Sequence, residues 1–174
     1  MSLRGTGLTA FAAISLIGCM AAKDEPPPPP PLPPTKVELH VEAAQDVNAN
    51  AQGKGSPVLL RIYELKGVTG FDAADYFALY DKDQTALGAD LGRKQEIMLR
   101  PGEKQTLLLQ PEPGVGFFAA YAGFRNLDSA RWRVSAPIPP HVTSVFELKL
   151  AGSQMTLTTP PPAQAPPAPA EPPK

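Results

Sequence analysis

Cysteine is almost missing from this sequence, since Cys19 is the only one among 174 residues. Without a second cysteine no disulfide can cross-link the chain, and burial of apolar side chains must stabilise the fold.

The sequence also has no excess of one charge, because it contains 16 basic and 17 acidic residues. A chain without a basic excess has little to hold a nucleic-acid backbone, and we expect no nucleic-acid partner.

A long hydrophobic run is also lacking. The apolar stretch from Leu8 to Ile17 follows Arg4 and has about 10 residues, whereas a membrane-spanning helix needs roughly 20. A basic start, an apolar middle and the small residue Gly18 are typical of a secretory signal peptide. We therefore predict a signal peptide over residues 1–18.

The stretch ends in residues 16–19 (LIGC), which resembles the bacterial lipobox. This resemblance implies cleavage before Cys19 and acylation of its sulfur, because the thiolate is the nucleophile that accepts the lipid. By the usual sorting rule, Asp after that cysteine keeps a lipoprotein at the inner membrane. Met20 stands there instead and predicts the outer membrane, facing the periplasm. The alternative is a secreted protein that loses Cys19 with the signal peptide.

Proline is concentrated on both sides of the remaining chain. Residues 26–31 are all proline, so residues 19–35 are predicted to carry the lipid and form a semi-rigid polyproline II spacer. Residues 160–174 mix proline with alanine and are predicted to form a disordered tail, because they cannot bury enough apolar surface to fold. The folded domain is therefore expected over residues 36–159.

Within this domain the pattern has a period of two. Val37, Leu39 and Val41 alternate with polar residues and predict a half-buried strand, whereas residues 58–66 are apolar on both faces and predict a central strand. Further strands are predicted over residues 95–99, 104–110, 116–124, 131–136, 146–150 and 154–159. Seven or eight strands indicate an all-β fold, a β-sandwich.

Two connections in the sandwich have their own predicted structure. After the second strand we expect a short helix over residues 73–80, capped by Asp72, which would accept from the amide of Asp75. Its buried face would hold Phe71, Ala74, Phe77 and Ala78, and residues 81–92 would be irregular. Pro101-Gly102 is predicted to turn the chain into a hairpin.

Candidate catalytic groups are few. His40 lies on the polar face of the first strand and His141 follows two prolines, so neither indicates general acid–base chemistry. Residues 81–92 lack the glycine and glutamate that a calcium loop needs at positions 6 and 12. We expect no enzyme activity, no metal and no cofactor besides the covalent lipid. Trp132 is open to two interpretations, a core aromatic between outward-facing arginines or a binding hot spot.

Four segments in order resemble the TssJ lipoproteins of the bacterial type VI secretion system. They are residues 57–65 (PVLLRIYEL), 71–76 (FDAADY), the Pro101-Gly102 turn and 122–133 (AGFRNLDSARWR). The resemblance covers residues 36–159 and implies a transthyretin-like β-sandwich with a helical insertion. It also implies anchoring in the outer membrane and binding to the periplasmic C-terminal region of TssM, the inner-membrane partner.

The loop over residues 45–56 is the candidate contact. It is long for a connection between strands, where two to five residues are usual, and it is either a recognition element or a loop without a task. In the family the loop in this place contributes to the TssM contact, which implies as partner-binding residues Asp46, Val47, Asn48, Ala49, Asn50, Ala51 and Gln52. A second function stays open, a transthyretin-like periplasmic carrier or hydrolase, which would need a pocket with convergent polar groups.

Overall fold

The computed structural model describes residues 30–159. The predicted signal peptide, Cys19, most of the spacer and the tail over residues 160–174 lie outside these residues. The described strands are β1 (Lys36–Ala43), β2 (Val58–Leu65), β3 (Leu91–Leu99), β4 (Lys104–Leu109), β5 (Phe117–Ala122), β6 (Arg133–Pro137), β7 (Thr143–Ala151) and β8 (Gln154–Thr158). The helices are α1 (Thr69–Ala73) and α2 (Tyr76–Leu87), with short 3-10 turns at Gly88–Asp90 and Leu127–Ser129.

The strands form two four-stranded sheets packed as a β-sandwich. One sheet has the order β4-β1-β7-β8 and the other β3-β2-β5-β6. Strands β1 and β7 are parallel, and the other neighbours are antiparallel. The predicted fold is confirmed, and β2 is the central strand that its apolar residues on both faces predict.

The core between the sheets comes from the period-two pattern. On β1, Val37, Leu39 and Val41 are buried against the inner face of the second sheet, where Leu60 and Ile62 are buried as well. Each large apolar side chain removed from water contributes about 1.5–3 kcal/mol. The sandwich therefore needs no cross-link between its sheets.

The turn at Pro101-Gly102 does not form the predicted hairpin. Strand β3 pairs with β2 and strand β4 pairs with β1, so the turn carries the chain from one sheet to the other. Gly102 has φ +80° and its N–H donates to the carbonyl of Ala43 at 2.9 Å. Two strands joined by Pro-Gly have the same sequence pattern whether they pair with each other or join different sheets. The hairpin prediction was wrong for this reason.

The helical insertion starts earlier and runs further than the predicted helix over residues 73–80, and it consists of two helices. Asp72 lies inside α1, and the cap is Asp75, whose carboxylate accepts from the amide of Ala78 at 2.8 Å. Helix α2 continues to Leu87 across a kink at Lys82 (φ −139°, ψ 38°), although we predicted irregular chain after residue 80. Its buried residues are spaced by four, Leu79, Asp83 and Leu87. Phe77, predicted to be buried, is 64% exposed.

A buried ionic network holds α2 on the outer face of β2. One Arg61 nitrogen donates to the carbonyls of Leu79 at 2.9 Å and Tyr80 at 3.1 Å, and its other terminal nitrogen pairs with Glu96. The Asp83 carboxylate accepts from the Tyr63 hydroxyl at 3.1 Å and from the ammonium of Lys94 at 2.7 Å. The Arg61 guanidinium itself lies 3.4 Å from Asp83. The insertion is thus fastened to the sheet by this network and by a second hydrophobic cluster, in which Phe71, Leu79 and Leu87 pack against Tyr63, Leu65, Ala119 and Tyr121.

Trp132 and Arg133 fasten the N-terminal part of the insertion. Trp132 is half-buried and packs against both hydrophobic clusters, as a core aromatic would. Arg133 pairs with Tyr121 on the face of the sheet that the insertion covers, so it is half-buried. Its guanidinium covers the Trp132 ring at 4.9 Å and donates to the carbonyls of Phe71 and Ala74.

The two ends of the sandwich carry different segments. At one end, called here the loop end, lie the β1–β2 loop, the β3–β4 turn, the corner over residues 123–132 and the β7–β8 turn. Residues 32–35 enter at the opposite end, called here the spacer end. There the Thr35 hydroxyl accepts from the His141 amide at 2.8 Å, and the Lys36 amide donates to Val142 at 3.0 Å. Strand β8 also runs toward the spacer end.

Candidate partner-binding surface

The β1–β2 loop spans residues 44–57 at the loop end. Compact domains usually connect their elements with about 4–6 residues, so this loop contains more chain than the link requires. Long loops held by a rigid scaffold are frequent recognition elements. How the loop is held decides which of its residues a partner could touch.

Two residues fix the base of the loop. Val47 is fully buried, and its carbonyl accepts from the Ser56 amide at 2.9 Å, which ties the two arms of the loop together. Asn48 is 4% exposed and has φ +51°, a left-handed conformation that Asn tolerates better than most residues. Its side chain accepts from the Arg125 amide and donates to the Pro57 carbonyl, both at 2.8 Å. Asn48 therefore joins the loop to the corner over residues 123–132.

The tip of the loop is a self-contained turn. The side-chain oxygen of Asn50 accepts from the amides of Gln52 and Lys54, both at 3.0 Å, and the Asn50 amide donates to the Lys54 carbonyl at 2.9 Å. Gly53 closes the turn at φ +76°, which a residue with a side chain would adopt only with strain. The tip is thus a defined shape rather than a featureless link.

The structure divides the seven predicted partner-binding residues into two groups. Val47 and Asn48 are buried and support the loop, so a partner docking on this surface does not reach them. Asp46, Ala49, Ala51 and Gln52 are exposed, and Asn50 is half-buried. A partner could therefore touch five of the seven, mostly through small or neutral polar groups.

We expect Asn48→Ala to lower the free energy of unfolding by about 2 kcal/mol. The change leaves the Arg125 amide and the Pro57 carbonyl without their partner, and each unmet buried group costs about 1–3 kcal/mol. Denaturant unfolding of wild type, Asn48→Ala and Asn48→Gly measures the effect. Since glycine relieves the positive φ, a loss in Asn48→Gly isolates the side-chain hydrogen bonds. A change below about 0.5 kcal/mol in both variants would contradict this role.

The histidines lie away from the loop. His40 is on the outer face of β1, where its ring contacts the Thr106 hydroxyl at 3.1 Å and Glu38 at 3.2 Å. His141 is at the spacer end, and its ring nitrogen lies 3.1 Å from the Pro33 carbonyl, which can only accept. Between residues 30 and 159, no group of three or more His, Cys, Asp or Glu side chains is arranged to hold a metal. The same part of the chain has no helix long and apolar enough to cross a membrane.

Sequence reasoning missed two features of the loop end. The first is the supporting role of Asn48. Its residue type was a usable signal, because Asn adopts left-handed backbone more readily than most residues. Sequence reasoning also missed that the corner adjoins the loop, because residues 48 and 125 are 77 positions apart and only the fold brings them together. No local pattern would have revealed that contact.

Comparisons with known proteins agree on one family. A family profile described as "Type VI secretion lipoprotein, VasD, EvfM, TssJ, VC_A0113" matches residues 35–153. The chain is similar to the crystal structure of the type VI secretion lipoprotein TssJ1 from Pseudomonas aeruginosa. Their identity is 37% and the TM-score 0.73, over 75% of this chain and 100% of that one. The comparison with curated protein sequences gives no match.

Two more solved structures share the fold. Lip of Serratia marcescens, described as a membrane-bound component of the type VI secretion system, has 24% identity and a TM-score of 0.67, over 72% of this chain and 98% of that one. A chain in a structure described as "Type VI membrane complex" has 28% identity and a TM-score of 0.62, over 71% and 98%. The matched profile covers more than half of the sequence, and the chain belongs to the TssJ family of type VI secretion lipoproteins.

Proposed function

We propose that this protein tethers the membrane complex of a type VI secretion system to the outer membrane. A lipid on Cys19 holds the protein at the periplasmic face of that membrane, and the loop over residues 44–57 binds the periplasmic C-terminal region of TssM. The observation that carries this proposal is the placement of the loop at the end of the sandwich opposite to the spacer. A domain tethered by its spacer end presents its loop end to a partner arriving from the inner membrane.

A further match supports TssM as the partner. A chain in a structure described as "T6SS protein TssM C-terminal domain (869-1107) from EAEC" has 26% identity to this one and a TM-score of 0.56. The match uses 73% of 174 residues and covers 98% of that chain, so that chain has about 130 residues. The TssM domain of that structure, residues 869–1107, spans about 240 residues, so the matched chain is too short to be the TssM domain itself. This supports a TssJ-like chain beside TssM in that structure.

The tether works by raising local concentration. A proline-rich segment extends about 3.1 Å per residue, so residues 19–34 would give a spacer of roughly 50 Å at full extension. A binding site held at one membrane meets a partner from the other at an effective concentration that spacer length sets. The described end of the spacer is fixed to the sandwich through Pro33 and Thr35, which favours a defined direction for the domain.

Replacing residues 49–52 with a Gly-Ser-Gly-Ser segment is expected to weaken TssM binding at least tenfold. The replacement removes the exposed tip and the turn that Asn50 organises, while Val47 and Asn48 keep the base in place. Titration calorimetry with the mature chain (residues 19–174, Cys19→Ser) and the TssM periplasmic region measures the dissociation constant.

The control variant changes a loop at the spacer end. Residues 112–114, which are exposed, are replaced with Gly-Ser-Gly and should leave the affinity within twofold of wild type. Unchanged affinity in the tip variant would remove the loop from the proposal. Failure of the wild-type chain to bind would remove TssM as the partner.

The carrier or hydrolase alternative has weaker support. A groove of about 600 Å³ at the spacer end is lined by Leu32, Pro33, Pro34, Pro140, His141 and residues 110–115. Most of these side chains are apolar, and the His141 ring already contacts the Pro33 carbonyl. The Thr35 hydroxyl, which also lines the groove, already accepts from the His141 amide. Gln110 and Glu112 are the remaining polar side chains of the lining, which is little to orient a small-molecule substrate.

A further inference from the structure

Two large aromatic side chains on α2 face solvent. Phe77 is 64% exposed and Tyr80 is 47% exposed, and no other Phe, Tyr or Trp among residues 30–159 is as open. Both project from the first turns of the helix, whose opposite side buries Leu79 and Leu87. The helix thus has apolar side chains on two faces, and the core accounts for one of them.

These side chains are fixed in place by neighbouring rings. Tyr76 stacks on Tyr80 at 5.9 Å and meets Phe77 edge-on at 5.4 Å. The other side of Tyr76 contacts Tyr121 at 5.4 Å and Trp132 at 5.5 Å. The three residues Tyr76, Phe77 and Tyr80, called here the aromatic patch, therefore present a rigid surface. Binding to it would cost little side-chain entropy.

The aromatic patch lies at the loop end. A Cβ atom added to Gly123 would stand 3.2 Å from the Tyr76 hydroxyl, and Gly123 opens the corner over residues 123–132. Two residues further on, the Arg125 amide donates to Asn48 in the β1–β2 loop. The corner therefore connects the patch to the loop, and one partner surface could cover all three.

The loop alone is poorly suited to hold a partner. Binding hot spots are enriched in Trp, Tyr and Arg, and a stable interface buries about 800 Å² on each partner. The exposed tip offers Ala49, Ala51 and Gln52, which are small or flexible, and no aromatic ring. A specific complex at this end needs an apolar anchor outside the loop.

We propose that the aromatic patch is this anchor and docks an apolar segment of the partner that binds the loop. This inference rests on the proposed function, since the same TssM region would occupy both surfaces. The exposed carboxylates of Asp75 and Asp81 flank the patch in the sequence of α2 and its N-cap and form an acidic rim, against one exposed cation, Lys82. The docking segment therefore carries basic side chains beside its apolar ones. The patch supplies affinity and the acidic rim supplies orientation.

Calorimetry with the mature chain (residues 19–174, Cys19→Ser) and the TssM periplasmic region tests this assignment. Phe77→Ser should weaken binding at least tenfold, and Tyr80→Ser severalfold. Asp81→Lys should slow association severalfold at low salt in surface plasmon resonance. The matched control is Leu108→Ser, because Leu108 is 76% exposed but lies on β4 in the other sheet, and this variant should bind within twofold of wild type.

The outcomes separate the two proposals. If wild type binds and Phe77→Ser binds equally well with an unchanged melting temperature, the patch is not part of the surface, while the loop proposal stands. If wild type does not bind, the proposed function fails and this inference fails with it. If the patch instead holds a second copy, Phe77→Ser will convert a dimer to a monomer in sedimentation analysis and leave TssM affinity unchanged, which also overturns the assignment.

Discussion

Asp83→Ala is expected to lower the free energy of unfolding by about 3 kcal/mol, because removing the acceptor at the centre of a buried ionic network leaves its donors without their partner. Asp83 is 6% exposed, and its closest buried partner, the hydroxyl of fully buried Tyr63, loses its acceptor at 3.1 Å where water cannot replace it. Arg61 loses its 3.4 Å contact with Asp83 but keeps Glu96 and two backbone carbonyls. Lys94 also loses its partner but is partly exposed and can be hydrated. This places the effect near the lower end of the 3–5 kcal/mol that broken buried pairs usually cost.

Denaturant unfolding at pH 7 with a matched carboxylate measures this effect. Asp81 lies two residues away in the same helix and is exposed, so Asp81→Ala should change the unfolding free energy by no more than about 0.5 kcal/mol. Equal effects of the two substitutions would mean that the network does not hold α2 on β2. A changed m-value without a changed midpoint would indicate an altered unfolded state instead.

The pH dependence of the same variant carries a defined sign. Burial raises the pKa of Asp83, but hydrogen bonds from Lys94 and Tyr63 and the Lys94 charge outweigh it and hold the pKa below the usual 3.8. The folded state therefore binds this proton less readily than the unfolded state. The stabilisation is present above pH 3.8 and is lost as the pH falls through the folded-state pKa. Wild type and Asp83→Ala should thus converge in stability below pH 3.8.

The pKa of Glu64 is shifted in the opposite direction, and its contribution to stability is the same in wild type and Asp83→Ala. Burial raises the pKa of Glu64, and one of its carboxylate oxygens lacks a hydrogen-bond partner. Its ionised form destabilises the fold, so its contribution grows less favourable as the pH rises through its raised pKa. Because both proteins contain Glu64, the difference between their pH profiles reports on Asp83.

The strands could be predicted because each depends on a local pattern. The alternation from Val37 to Val41 predicts a strand buried on one face, and the apolar run from Val58 to Leu65 predicts a strand buried on both. Both segments are strands with that burial in the structure. The pairing of strands could not be predicted in the same way. Nothing near Pro101-Gly102 tells that β3 and β4 join different sheets, since that depends on hydrogen bonds to strands far along the chain.

The insertion shows where local rules compete. The sequence pattern predicted Asp72 as the helix cap, whereas Asp75 caps α2 in the structure. A distant residue contributes to this difference, because Arg133 donates to the carbonyls of Phe71 and Ala74, where α1 ends. Phe77 was misplaced for a related reason. The ionic network turns Leu79 and Asp83 toward β2, which leaves Phe77 on the opposite face.

The sequence leads to a candidate surface but not to which of its residues are exposed. The resemblance to TssJ lipoproteins and the length of the loop indicated residues 46–52. The split between the supports, Val47 and Asn48, and the exposed tip depends on the contact with Arg125, which no local pattern contains. The aromatic patch was hidden because Phe77 was assigned to the core.

Removal of the lipid is expected to move the whole protein from the membrane to the soluble periplasmic fraction. Each buried methylene of an acyl chain contributes about 0.8 kcal/mol, and several chains hold firmly where one holds weakly. The test chain carries Cys19→Ser behind a signal peptide of the non-lipoprotein class, so that export and cleavage do not depend on the cysteine. Immunoblots of membrane and soluble fractions give the distribution. A Cys19→Ser protein that stays with the membrane would contradict acylation at this residue.

Met20→Asp separates attachment from location. This variant keeps the Cys19 lipid but acquires the sorting signal for the inner membrane, so density-gradient fractions should show it leaving the outer membrane. Its loop end is unchanged, so its affinity for the TssM region should equal that of wild type in calorimetry. Secretion should nevertheless fail, because a protein whose lipid and TssM partner are both at the inner membrane cannot connect the inner membrane to the outer one. A Met20→Asp strain that secretes normally would show that binding without bridging is sufficient, and the tethering role would be wrong.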